Sequence, residues 1–163
     1  MNLTRCSLAV LTLLSVSLGA AAAPEDGRKP VLSAPPAIGE MAGSATEELN
    51  AAGYVQEEFF LQGEARSYVN RGTWSADGIW DVVPAASAPY TIRLFARYPA
   101  KASRFNGIVF VEWLNVSGGS EGAVNWTMLH DELLRQGYGY VGVGAQAVGV
   151  TGLKRGNAQR YAT

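Results

Sequence analysis

The sequence predicts an α/β fold with a partial doubly wound sheet, preceded by an N-terminal region of strands and hairpins. Residues 106–144 read as an apolar run, a Gly/Ser/Asn loop, an amphipathic stretch and a second apolar run. That is the order of a strand–loop–helix–strand unit. Residues 90–98 alternate between two faces, as a strand does, with Thr91, Arg93, Phe95 and Arg97 on one of them. Only residues 145–163 follow the unit, so we expect the sheet to lack further strands.

Length and composition describe a globular protein of about one domain. The chain has 163 residues, of which 48% are hydrophobic and 17% charged, which excludes a disordered chain. The net charge is −1 and the sequence has no run of Lys or Arg, so we expect no nucleic-acid partner.

The N-terminus, residues 1–22, predicts a cleaved signal peptide. Arg5 precedes an apolar run at residues 7–18, and alanines up to Ala22 supply a cleavage pattern. The run is shorter than the ~20 apolar residues that span a bilayer. We therefore expect export to the periplasm or medium, with no stable membrane insertion after cleavage. Cleavage would also remove Cys6, the only cysteine.

The mature chain is expected to begin with a flexible leader at residues 23–43, which are rich in Pro, Ala and Gly. Residues 44–163 form the predicted domain. A short helix is expected at residues 44–52, where Ser44 and Glu47 match a capping box.

Two strands and a turn are predicted next. Residues 54–62 are strand-like, and Gly63 separates them from residues 65–70, which are interpreted as the hairpin partner. Asp77-Gly78 marks a tight turn.

Within the strand–loop–helix–strand unit, residues 107–114 and 138–145 are predicted to be buried strands, the first of them central. Asn125 is the expected N-cap of the helix between them. One face of that helix carries Trp126, Leu129 and Leu133. With one helix for two strands, we expect an uncovered sheet face and an open edge beside residues 138–145.

Ser120 lies in a G-x-S-x-G pattern formed with Gly118 and Gly122. A nucleophile elbow needs a sharp turn from strand to helix, whereas this serine lies on a longer loop. The only histidine, His130, lies in the helix, and no acid follows Glu132. Ser120 is therefore a weak catalytic candidate.

Neither a cofactor nor a metal is expected. Gly137, Gly139 and Gly142 match a dinucleotide-binding spacing, but they follow a helix and enter a strand, which is the wrong order. A helix stop and close strand packing explain them better. His130 would be a solitary metal ligand.

Glu112 is an acid within a buried strand, on the same face as Phe110 and Leu114. A buried carboxylate must be paired, hydrogen-bonded or protonated. Arg93 and Arg97, on the expected neighbouring strand, are candidate partners. A structural ion pair is favoured over a role in an acidic site.

The chain resembles the N-terminal part of a bacterial family of exported α/β-hydrolase domain proteins. The resemblance covers residues 53–68, 88–100, 104–119 and 129–150, and VEWLNVSGG is its most specific motif. It implies a serine-hydrolase-like fold whose nucleophile, acid and histidine lie downstream of Thr163, and so a truncated chain that is inactive alone. Residues 152–158 depart from the family pattern.

The resemblance also implies an oxyanion-hole role for the loop Asn115, Val116, Ser117, Gly118 and Gly119, since one backbone N–H comes from the corresponding loop in such folds. The alternative is a Gly-rich connector. For the full-length protein we expect a small ester-like substrate. Two other functions stay open: an exported binding module without catalysis, and a small hydrolase that uses Ser120.

Overall fold

The structure is a computed structural model and describes residues 29–162. The predicted signal peptide and most of the predicted leader lie outside the described residues. None of the helices in the described part is long and apolar enough to cross a membrane.

The described chain forms one mixed sheet of five strands with three α-helices. In chain order the elements are β1 (Val31–Ser33), α1 (Thr46–Ala51), β2 (Tyr54–Asn70), β3 (Val82–Pro99), β4 (Val109–Trp113), α2 (Val124–Gln136), β5 (Gly139–Gly144) and α3 (Ala147–Gly156). The strand order is β1-β2-β3-β5-β4. Only β4 and β5 run parallel, and the other pairs are antiparallel. The predicted α/β fold class is confirmed.

Strands β2 and β3 form one long hairpin, so the prediction that residues 65–70 pair back on residues 54–62 was wrong. Both segments belong to β2, which pairs with β3 from Tyr54–Pro99 to Asn70–Val82. The chain reverses only at the predicted Asp77-Gly78 turn, where Asp77 Oδ1 accepts the Ile79 amide at 2.9 Å. Gly63 does not turn the chain but pairs with Tyr90 inside the hairpin. A glycine is found there because a side chain at this position would clash with the Tyr90 ring.

All three helices lie against the same face of the sheet. Its core cluster contains Leu49, Tyr54, Phe95, Leu114, Trp126, Leu133 and Tyr140. Helix α3, which the sequence analysis did not predict, adds Leu153 against Phe60 and Tyr161. The opposite face has a small cluster around Ala96, Tyr98 and Val141, which contains no helical residue. The expectation of one uncovered face is therefore confirmed.

Strand β4 lies at the edge of the sheet, so the prediction of a buried central strand at residues 107–114 was wrong. Val111 is 67% exposed and Trp113 is 63% exposed. Strand β5 has β3 on one side and β4 on the other, so the open edge is that of β4 and not of β5. A run of apolar residues indicates a strand that is buried on both faces, but here helices cover only one face of the sheet.

The helix caps also differ from the prediction. Helix α1 begins after Ala45 without a side-chain cap, and Ser44 Oγ instead contacts Thr46 Oγ1 at 2.8 Å. Helix α2 begins at Val124, so Asn125 lies inside it. The helix ends at Gly137, whose φ of 77° is left-handed, as expected for a glycine stop.

Within the predicted apolar face of α2, Leu129 is 41% exposed.

We predict that the chain self-associates through β4, because an unpaired edge strand with exposed apolar side chains favours intermolecular pairing. Val111→Lys should shift sedimentation toward monomer and lower hydrophobic-dye binding. Ile79→Lys is the control, since Ile79 is 80% exposed but lies in the distant hairpin turn. A wild-type chain that stays monomeric and melts sharply would contradict the prediction.

Candidate functional site

Arg93 is the centre of a buried network on the helix-covered face of β3. Its Nε contacts Glu58 Oε1, its Nη1 donates to Glu121 Oε2 at 2.6 Å, and its Nη2 donates to the Ala42 carbonyl at 2.6 Å. Only 4% of the Arg93 side chain is exposed. Such fixed, charge-assisted hydrogen bonds need the planar fork of arginine.

Glu58 connects this network to the last described residues. Its side chain is 2% exposed and accepts from Arg160 Nε at 2.7 Å and from the Tyr161 hydroxyl at 2.8 Å, in addition to Arg93. Burial raises the pKa of Tyr161, so its hydroxyl stays protonated and donates.

Arg97, two residues beyond Phe95 on the same face, is also buried. Its Nε donates to Gln56 Oε1 at 2.6 Å, and its guanidinium carbon lies 4.3 Å from the centroid of the Trp126 ring. Burial lowers the pKa of Arg97 to about 10, and the positive charge of Arg93 acts in the same direction. Arg97 is still a cation at neutral pH. The predicted shared face of Arg93, Phe95 and Arg97 is confirmed, because both guanidinium carbons lie 4.9 Å from the centroid of the Phe95 ring.

Glu112 is not paired with Arg93 or Arg97, so the favoured ion pair was wrong. Its carboxylate accepts the amides of Asn125 at 2.9 Å and Trp126 at 3.1 Å, and it also accepts the Tyr140 hydroxyl. Helix α2 starts beside the end of β4, so the carboxylate fills the place of an N-cap from a neighbouring strand. Burial raises the pKa of Tyr140, and the bond to Glu112 adds to the effect.

The loop of oxyanion-hole candidates is partly closed by its own hydrogen bonds. Three amides are bonded locally: Asn115 to the Gly122 carbonyl, Ser117 to Asn115 Oδ1 and Gly119 to the Val116 carbonyl. Within residues 29–162, the amides of Val116 and Gly118 donate no hydrogen bond. These two N–H groups are therefore not used by the hydrogen bonds that close the loop.

The structure does not bring Ser120 and His130 together. Ser120 is exposed on its loop. His130 Nδ1 lies 3.2 Å from the carbonyls of Trp126 and Thr127, and its Nε2 lies 3.6 Å from Glu48. Across the described part of the chain, no group of three or more His, Cys, Asp or Glu residues is placed to hold a metal ion.

Sequence reasoning missed the two acids of the network, Glu58 and Glu121. The sequence contained a signal for Glu58, because this acid shares a strand face with Tyr54 and Phe60 in a segment that was correctly predicted to be a strand. The signal for Glu121 is only visible in three dimensions, because Gly144 and Gly149 leave the space that its carboxylate occupies.

We predict that Glu121 makes folding less favourable as pH rises. Burial raises its pKa above the ordinary 4.5, against the opposing effect of Arg93, and Glu58 adds to the increase. The folded state therefore binds the proton more tightly than the unfolded chain, and stability falls as pH rises from about 4.5 through the folded-state pKa, by at most ~1.4 kcal/mol per pH unit.

Urea unfolding of the wild type and Glu121→Gln between about pH 4 and 7 tests this sign. The unfolding free energy of the wild type minus that of the variant should decrease with pH. Glu64→Gln, at an exposed position of β2, is the matched control for replacing a carboxylate. An increase with pH for Glu121→Gln would contradict the prediction.

Comparison with known proteins adds one finding. A family model described as an alpha/beta hydrolase domain matches residues 22–163. The searches of curated proteins and of solved structures returned no match. The family match includes every described element, from β1 to α3, and the mixed sheet with its parallel β4–β5 pair is consistent with part of such a fold. The chain belongs to the alpha/beta hydrolase domain family.

Proposed function

We propose that the chain is the N-terminal portion of an exported bacterial hydrolase of the ester-hydrolysing class, whose full-length form acts on a small ester-like molecule. The observation that carries the proposal is the loop after β4. It follows a strand of a hydrolase-type sheet and leaves the amides of Val116 and Gly118 without partners among residues 29–162. Two such N–H groups can stabilise the negative charge that develops on a carbonyl oxygen during acyl transfer.

The same proposal makes the isolated chain inactive. The one histidine in the sequence is His130, and its described contacts are to Trp126, Thr127, Asp131 and Glu48, not to Ser120. A serine without a base is a weak nucleophile. The proposal assigns the nucleophile, acid and histidine of the enzyme to residues beyond Thr163, as the family resemblance implies. A binding module without catalysis is the second candidate, favoured by the cavity beside Arg97.

We predict that the isolated chain does not hydrolyse p-nitrophenyl acetate above the buffer rate, because no base among the described residues contacts Ser120. Release of p-nitrophenolate, followed by absorbance, measures this. Ser120→Ala should have no effect, as should Ser117→Ala, an exposed serine of the same loop. Turnover that is lost in Ser120→Ala and retained in Ser117→Ala would refute the prediction. It would also refute the proposal that the catalytic residues of the enzyme lie beyond Thr163.

We predict export with cleavage after Ala22, because residues 1–22 combine a positive start, an apolar run and small residues. Intact-mass spectrometry of the exported product should give an N-terminus at Ala23 or within a residue or two. Leu13→Arg, which interrupts the apolar run, should retain the precursor in the cytoplasm. A wild-type product that keeps residues 1–22 and stays in the cytoplasm would contradict export.

A further inference from the structure

The loop after β4 carries the two amides on which the proposed function depends. Its ends are joined by a pair of backbone hydrogen bonds: the Asn115 amide donates to the Gly122 carbonyl at 3.0 Å, and the Gly122 amide donates to the Asn115 carbonyl at 2.8 Å. An amide stabilises a developing negative charge only if it is already directed toward the position of that charge. The part of the loop between these two residues must therefore be held in place by other contacts.

A tight turn within the loop contains both amides. The Gly119 amide donates to the Val116 carbonyl at 3.0 Å, which closes a four-residue turn, and Gly119 has a left-handed φ of 79°. Val116 is the first residue of this turn and Gly118 is the third. A displacement of Gly119, the last residue, therefore redirects the turn and the N–H groups that it carries.

Helix α3 contacts this turn at Gly119 without an intervening side chain. A β-carbon added to Gly152 would lie 3.0 Å from the Gly119 carbonyl oxygen and 3.1 Å from Ser120 Cα. Such contacts are normally about 3.5–4.0 Å, so only a glycine allows the helix backbone to approach the loop backbone this closely. Arg155, one turn further along α3, donates from Nη2 to the same Gly119 carbonyl at 3.3 Å.

The close approach at Gly152 has a cost for the helix. Gly152 lies in the interior of α3, where glycine is about 1 kcal/mol less favourable than alanine. The helix alone would therefore favour alanine at this position. The contact with the loop backbone supplies the physical reason for a glycine.

A second contact of α3 fixes the loop one helical turn earlier. A β-carbon at Gly149 would lie 2.8 Å from Glu121 Cγ and 3.2 Å from Val116 Cγ1. Glu121 is itself held from the other side, because its Oε2 accepts from Arg93 Nη1 at 2.6 Å and both side chains are buried. The loop is therefore enclosed between α3 and β3.

We propose that α3 is the positioning element of this loop, and that Gly152 and Arg155 direct the amides of Val116 and Gly118 through Gly119. This inference rests on the proposed function, since it concerns the same oxyanion-binding loop. Gly152 and Arg155 are positioning residues, because they act on the loop backbone and not on the substrate. Replacing either of them lowers the affinity of the two amides for an anionic oxygen.

Acetate, the carboxylate product of an acetate ester, is the probe that tests this. Titration of the isotope-labelled full chain with sodium acetate, against sodium chloride at equal ionic strength, should shift the amide NMR signals of Val116 and Gly118 in a saturable way. Gly152→Ala should raise the acetate dissociation constant about fivefold, the change expected when one hydrogen bond is misdirected. Gly156→Ala, in the last position of α3, is the control, because a β-carbon there would meet no described atom within 4 Å.

Arg155→Gln tests the second contact at an exposed position, where the substitution does not disturb packing. Lys154→Gln removes a positive charge from the neighbouring exposed position and controls for the general attraction of an anion. Arg155→Gln should weaken acetate binding about two- to threefold more than Lys154→Gln does.

The possible failures of the two proposals are distinguishable. If the wild type binds acetate at Val116 and Gly118, and Gly152→Ala and Arg155→Gln both bind it as tightly as their controls, the positioning role is wrong and the oxyanion-binding loop stands. If the wild type shows no saturable shift at these two amides, the proposed function loses the observation that carries it, and the positioning role is overturned with it.

Discussion

The buried ion pair between Arg93 and Glu58 holds together segments that are distant in the chain. The pair joins β2 and β3, the two strands of the long antiparallel hairpin. Through Arg93 it reaches the loop at Glu121 and the N-terminal segment at Ala42, and through Glu58 it reaches Arg160 and Tyr161 beyond α3. Removing Arg93 would leave the buried Glu121 carboxylate uncompensated, which typically costs about 3–5 kcal/mol, whereas removing Glu58 leaves Arg93 paired with Glu121.

This network explains why the helix-covered face is polar at one end and apolar at the other. At the apolar end, Trp126, Tyr140 and Leu133 pack between α2 and the sheet. At the polar end, Leu153 of α3 packs against Phe60 of the sheet. The side chains of Glu58, Arg93 and Glu121 occupy space there that apolar side chains would fill in a larger hydrophobic core. Glu112 contributes to the order of the apolar end, because it fixes the start of α2 from the end of β4. The cavity beside Arg97 lies where the two ends meet.

The sequence predicted those features that depend on local pattern. The alternation of residues 90–98 placed Arg93, Phe95 and Arg97 on one face, and the fold class followed from the strand–loop–helix–strand unit. Features that depend on distant contacts were missed. Apolar residues alone could not show that β4 is an edge strand, since its neighbours depend on strand order. The partners of Glu112 were two amides of a helix end and the Tyr140 hydroxyl, and the amides have no side-chain signature. The roles proposed for Ser120 and for the loop of residues 115–119 stay predictions.

A double-mutant cycle on Arg93→Met and Glu58→Gln tests the central claim most directly, because it isolates the coupling between the two side chains from the other contacts that each one makes. Urea unfolding of the wild type, both single variants and the double variant gives the four free energies required. The account predicts that both single variants are strongly destabilised and that the coupling energy is about 1–3 kcal/mol, with the second substitution costing much less than the first. Additive effects at the two positions would contradict it, since the network would then not depend on this pair.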